Sequence, residues 1–206
     1  MRLYYSPGTI SVAVAIALHE AGLAFEAQPV NFKEGEQTSP DYLTRNPKGR
    51  VPTLETHGQY LTETGALLDY IAALAPEAHL VPDDPLDAVH MRSVMYYLAS
   101  TMHVNHAHRM RGTRWADNPE SHVDMIAKVP ETMAQSAQYV QDHGLRGDYV
   151  TGERLSLADP YVFAVCNWLE GDGVPLADYP KLAAFMERMR ARPAVQAVIA
   201  QGILPS

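Results

Sequence analysis

The sequence predicts a small α/β domain followed by an all-α domain. Three observations carry this. The first eighty residues change texture every ten or so, as short strands alternating with helices do. Three prolines then punctuate PEAHLVPDDP (residues 76–85), which reads as a linker. Beyond it the patterns are helical throughout, with no convincing strand. The expected domains are residues 1–77 and 86–206.

Taking the elements in order, Arg2-Leu-Tyr-Tyr5 is a short aromatic-rich strand broken by Ser6-Pro-Gly8. Ser11 to Ala21 is an apolar helix, with Gly22 placed as its C′ residue. Phe25 to Val30 follows as a second strand, and strand–helix–strand order implies parallel pairing. Residues 33–50 are polar and rich in Gly, Pro and Asn, and read as a loop with at most one helical turn. Val51–Glu55 and Gln59–Leu61 flank His57-Gly58, a hairpin pattern. Thr62 to Ala75 is a helix with Thr62 as its N-cap. After the linker, helices are expected over Leu86–Arg111, Pro119–His143, Ser156–Glu170 and Pro180–Arg192, and Pro193 opens a short terminal one. Pro130 should kink the second of these or mark its true start.

The chain has 206 residues, 47 % apolar and 19 % charged, enough to bury a core. Its formal charge of −8 repels phosphate backbones and anionic lipid, and the densest basic stretch, Arg109 to Arg114, holds three Arg. Neither nucleic acid nor a membrane is expected as a partner. One cysteine allows no internal disulfide and no CxxC pair, which suits a reducing, cytoplasmic setting. MRLYYSPGT has no long apolar segment, so no signal peptide is expected.

Two short motifs bear on function. In Arg50-Val51-Pro52-Thr53 the proline either marks a plain turn into a strand or follows a cis peptide that turns the Val51 backbone toward an extended peptide ligand. In Thr62-Glu63-Thr64-Gly65 the helix start is either ordinarily capped or a carboxylate site, with Glu63 beside it to receive an ammonium. Together these would hold an amino-acid head group. His103, His106 and His108 invite a metal reading, but no carboxylate or cysteine lies near them in sequence, and no metal is expected. In Ser156-Leu-Ala-Asp159 the serine should cap the Asp159 amide while the aspartate reaches back.

YYSPGTIS, NPKGRVPTLE, LTETGALLDYIA and TGERLSLADPYVF, in this order and spacing, resemble a cytosolic glutathione S-transferase of the bacterial, beta-like class. The resemblance spans nearly the whole chain. It implies a thioredoxin-like N-terminal domain, a C-terminal helical bundle, a homodimer, and glutathione as co-substrate for attack on a small hydrophobic electrophile. It also implies that Val51, before cis Pro52, pairs with the cysteinyl part of glutathione. Glu63 and Thr64 would grip the γ-glutamyl group and Lys33 the glycyl carboxylate. His103 would stand near the thiol, with His106 one turn on as the alternative, and Trp168 would line the electrophile pocket. Ile10 occupies the position of the class cysteine, so disulfide exchange there is excluded. Ser11 is then the expected thiol donor, with Thr9 and Tyr5 as competitors, while Cys166 in FAVCNWL reads as core. The same scaffold also carries a glutathione-binding protein with little catalysis, or a glutathione-dependent isomerase, lyase or dehalogenase.

Overall fold

A computed structural model describes residues 1–205. The elements are β1 (Arg2–Tyr5), α1 (Ser11–Glu20), β2 (Glu26–Pro29), α2 (Pro40–Arg45), β3 (Thr53–Thr56), β4 (Gln59–Thr62), α3 (Thr64–Leu74), α4 (Pro85–Tyr97), α5 (His103–Arg111), α6 (Pro119–Tyr139), α7 (Ala158–Cys166), α8 (Pro180–Arg190) and α9 (Pro193–Ala200). They form two compact units, one of Met1–Val81 with the segment from Met189 onward, the other of Pro82–Arg188.

In the first unit the sheet order is β2-β1-β3-β4. β1 pairs parallel with β2, as a helical crossover requires, and antiparallel with β3. The β3–β4 hairpin turns at His57 and Gly58, both left-handed (φ 48° and 73°), the geometry a two-residue hairpin needs. Thr62 is not the cap of α3: it pairs with Thr53 as the last residue of β4. Sheet register claims it, and Glu63 makes the whole turn into α3 with φ 74° and ψ 116°.

α1 decides the packing of this unit. Ser11 through Leu18 are all buried, so the helix has no solvent face. It packs on β1, on α3 and on α9. That is why the chain from Met189 onward, expected in the helical domain, sits in the first unit. Arg192 Nη2 donates to Glu20 Oε2 at 2.8 Å, and the Gly8 amide donates to the Ile203 carbonyl at 2.9 Å, fixing the two segments together.

Residues 33–50 are more ordered than their composition suggests. Two 3₁₀ turns (Phe32–Glu34 and Glu36–Thr38) lead into α2, where the Ser39 hydroxyl accepts from the Tyr42 amide and Pro40 holds the first helical position. In the second unit the Leu86–Arg111 pattern is α4 and α5 joined by a π turn over Leu98–Met102. Asp84 caps α4, accepting from the Leu86 and Asp87 amides. Pro130 lies inside α6 and does not start it; Asn118 does, accepting from the Glu120 amide. α7 ends at Cys166, short of the expected Glu170. The Ser156 hydroxyl does not work as the expected cap: it donates to Asp159 Oδ2 at 2.8 Å, and the Asp159 amide bonds the Ser156 carbonyl. Asp159 is fully buried and also receives the Ser156 and Val150 amides at 2.7 and 2.8 Å.

Val198, fully buried on α9, is expected to stabilise the first unit through the cover α9 gives α1. Val198→Ala should cost about 2 kcal/mol in urea denaturation. A loss under about 0.5 kcal/mol, the range of an ordinary surface change, would show that α9 is not part of this core.

Candidate functional site

In the first unit the Val51–Pro52 peptide is cis. The segment before β3 is held by a buried polar knot. Tyr42, the one buried residue of α2, donates its hydroxyl to the Arg50 carbonyl at 2.8 Å and lies 3.0 Å from Thr53 Oγ1. Asn46 Nδ2 donates to the same two oxygens at 2.8 and 3.1 Å, and Asn46 Oδ1 accepts from the Lys48 amide. Thr53 is fully buried and Asn46 nearly so. Burial pushes the Tyr42 phenol up from its ordinary pKa, so it stays a neutral donor. Above the knot, Val51 packs with Tyr4, Val30 and Tyr42, and Phe32 leans on the group.

Glu63 stands at the start of α3 in a backbone conformation that a side chain rarely adopts. Its carboxylate is two-thirds exposed and pairs with Lys48 Nζ at 2.7 Å; the same ammonium donates to Thr62 Oγ1 at 2.7 Å. Thr64, next in sequence, is buried as the first residue of α3. Lys48 was not among the residues singled out from sequence, although NPKG places it within the same motif. Lys33 lies exposed in the Phe32–Glu34 turn.

The loop into α1 sets the three candidate hydroxyls apart by burial. Ile10, and not Ser11, is the N-cap residue of α1, and Ser11 is fully buried. The Ser11 and Thr9 hydroxyls lie 3.1 Å apart, and Thr9 Oγ1 donates to the Ser6 carbonyl at 2.7 Å. Tyr5 is buried as well, leaving Thr9 as the partly exposed hydroxyl of the three candidates. The expectation for Ser11 rests on a hydroxyl at a helix N-terminus, where it could donate to a bound thiolate. The cover α1 receives on every side takes that residue into the core.

In the second unit His103, His106 and Trp168 form one aromatic cluster. The His106 ring stacks on Trp168 at 4.2 Å and 20°, and His103 lies 5.0 Å from the same ring at 57°. His106 Nδ1 is 2.7 Å from Asp172 Oδ2, and Arg109 Nη1 is 3.3 Å from Oδ1. The Asp172 side chain is wholly buried. Sequence reasoning missed it because it lies 66 residues from His106, in a Gly-Asp-Gly turn that reads as surface. α5 is pinned to α6 through Asn105, which donates to Ser136 Oγ at 3.1 Å and to the Thr132 carbonyl at 3.3 Å. His108 belongs elsewhere, edge-on to Trp115. Cys166 is buried, which raises its thiol far above the reactive range. Among the described residues no group of three or more His, Cys, Asp or Glu could hold a metal ion, and no helix is long and apolar enough to cross a membrane.

Residues 1–73 match the glutathione S-transferase N-terminal domain and residues 115–202 the glutathione S-transferase C-terminal domain. The chain belongs to the glutathione S-transferase family. It is 32 % identical to glutathione S-transferase GstA of Escherichia coli O157:H7, covering 98 % of this chain and all of that one. It is 31 % identical to maleylacetoacetate isomerase of Pseudomonas aeruginosa, covering 94 % and 93 %. Among solved structures, a glutathione transferase homologue from Sulfitobacter with bound glutathione superposes with a TM-score of 0.98 at 61 % identity, covering 98 % of both chains.

Asn46→Ala removes three hydrogen bonds, takes the acceptor from the Lys48 amide and leaves the Arg50 carbonyl and Thr53 Oγ1 to Tyr42. It should destabilise by about 2–3 kcal/mol in urea denaturation. A cost below about 0.5 kcal/mol would mean that the knot does not hold the Arg50–Thr53 segment.

Proposed function

We propose that this transferase binds glutathione on its first unit and conjugates its thiolate to a small hydrophobic electrophile. The observation that carries the reading is the conjunction, in one unit, of the cis Val51–Pro52 peptide, the Glu63–Thr64 helix start and the Thr9 loop. In this reading the Val51 amide and carbonyl pair with the cysteinyl residue. The γ-glutamyl carboxylate takes the Thr64 hydroxyl and the first amides of α3, where the helix dipole favours an anion. Glu63 receives the ammonium, exchanging one cation, Lys48, for another. Lys33 meets the glycyl carboxylate. A homodimer in the cytoplasm is part of the proposal.

The chemical demand on the protein is modest. A free thiol titrates near 8.5, so lowering it by about two units makes the thiolate dominant at neutral pH and requires roughly 2.7 kcal/mol of selective anion stabilisation. The amides opening α1 supply donors for that charge, and so does the Thr9 hydroxyl once it turns from the Ser6 carbonyl to the thiolate, with Ser11 3.1 Å behind it. His103 and Trp168 present the face on which the electrophile lies.

The similarity to a maleylacetoacetate isomerase supports a second reading, in which glutathione adds to the substrate and leaves again. Glutathione is consumed in conjugation and not in isomerisation, so following its concentration separates the two.

Glu63→Ala should raise the dissociation constant for glutathione more than threefold, about 0.7 kcal/mol or more, in calorimetric titration, because the ammonium loses its partner. A smaller change refutes the head-group assignment. Thr9→Val should lower turnover of a chlorodinitrobenzene about tenfold, or 1.4 kcal/mol, with little change in affinity for S-methylglutathione. If Tyr5→Phe abolishes turnover while Thr9→Val leaves it intact, the thiol donor is the tyrosine.

A further inference from the structure

We infer that the turn after α9, Gly202–Pro205, is a positioning element for the thiol donor: the Ile203 carbonyl holds the loop before α1 in the form that places the Thr9 hydroxyl. This rests on the transferase reading above, and every residue it uses lies in the first unit.

Ser6-Pro-Gly-Thr9 is a β-turn closed by the Thr9 amide, which donates to the Ser6 carbonyl at 3.3 Å. Proline at the second position suits a type I or a type II turn, and the two differ by a half-rotation of the central peptide. Gly8 has φ 69°, which makes this turn type II. Glycine admits both signs of φ, so a turn with glycine at its third position can exchange between the two forms. The Gly8 N–H belongs to that central peptide, and it donates to the Ile203 carbonyl at 2.9 Å. A half-rotation would aim the N–H away from this acceptor, so the bond holds the type II form.

The acceptor is itself firmly placed. Gly202, with φ 71°, turns the chain back after α9, and the Ile203 and Leu204 amides both donate to the Val198 carbonyl, at 3.1 and 3.3 Å. The Ile203 side chain is wholly buried and Leu204 nearly so. Pro205 stands over Gly8, where a Cβ would meet its ring at 3.6 Å. The cover of α1 comes from α9, which ends at Ala200; the chain beyond it reaches the loop that enters α1. In the type II form Thr9 Oγ1 stands between the Ser6 carbonyl, at 2.7 Å, and the buried Ser11 Oγ, at 3.1 Å. Rotation of the Pro7–Gly8 peptide changes the direction in which the chain enters Thr9 and takes its hydroxyl off this support. A reacting group displaced by about 1 Å loses much of its effect.

The test is a double-variant cycle on the full chain, with Ile203→Gly freeing the turn after α9 and Thr9→Val removing the donor. Turnover of a chlorodinitrobenzene and the ionisation of bound glutathione, by thiolate absorbance, are measured for the wild type, both single variants and the double variant. Ile203→Gly should lower turnover about fivefold, within the loss expected of Thr9→Val, with affinity for S-methylglutathione unchanged within about twofold. It should raise the apparent pKa of bound glutathione by about half a unit or more. In the Thr9→Val background the same change should cost less than about twofold, because Ile203 acts through Thr9. Ile203→Val, which keeps a branched side chain in the core, should behave as the wild type. Val198→Ala, which loosens the same unit with the Ile203 carbonyl in place, should leave the pKa unmoved. If Ile203→Gly does not fold, Ile203→Ala takes its place with the same directions. Equal losses from Ile203→Gly in both backgrounds overturn the inference, as does an equal pKa rise in Val198→Ala, and each leaves the transferase reading standing. A Thr9→Val variant with wild-type turnover overturns it with the Thr9 assignment alone. A wild type that turns over no haloarene overturns both the inference and the transferase reading.

Discussion

A helix without a polar face has to be covered on every side, and α1 is such a helix: eight successive residues, Ser11 to Leu18, are buried. The sheet strand β1, the helix α3 and the distant helix α9 supply the cover. From this follow the parallel β1–β2 pairing, which the α1 crossover imposes, and the return of the chain end to the first unit. The position of the α1 N-terminus follows too. Because the helix cannot shift without exposing apolar surface, its opening amides and the Thr9 hydroxyl stand on a rigid support.

The same logic repeats around the candidate site residues, with buried polar groups in place of apolar cover. Tyr42, Asn46 and Thr53 satisfy one another and the Arg50 carbonyl, so the Val51 backbone is fixed by hydrogen bonds that break only at the cost of buried unpaired donors. In the helical unit Asp172 does for His106 what the knot does for Val51, and Ser136 ties α5 to α6 beneath it. A π turn over Leu98–Met102 immediately precedes His103, and such turns re-aim the residues that follow them. In each unit, buried polar groups thus fix the candidate site residues beside them.

Local chemistry made much of this legible. The His57-Gly58 turn, the Ser11 start of α1, Gly22 after it and Pro193 at the start of α9 are all written in single residues with one strong conformational preference. What escaped depends on contacts between residues far apart. Thr62 has the chemistry of a cap, but its pairing with Thr53 puts it in a strand. Ser11 has the chemistry of a surface cap, but α1 is enclosed. Ser39-Pro40 is a regular helix start that the polar composition around it concealed. Asp172 could be found only by folding the chain, since nothing local distinguishes it from other turn aspartates. The Val51-Pro52 and Glu63-Thr64 motifs, proposed to face glutathione, are readable because each is a short run in which neighbours along the chain do the work.

The account stands most directly on the ionisation of bound glutathione. Titrating the wild-type complex by the ultraviolet absorbance of the thiolate should give an apparent pKa near 6.5, about two units below that of a free thiol. A bound thiol that still titrates near 8.5 would contradict it, because the α1 terminus and Thr9 would then be stabilising no charge.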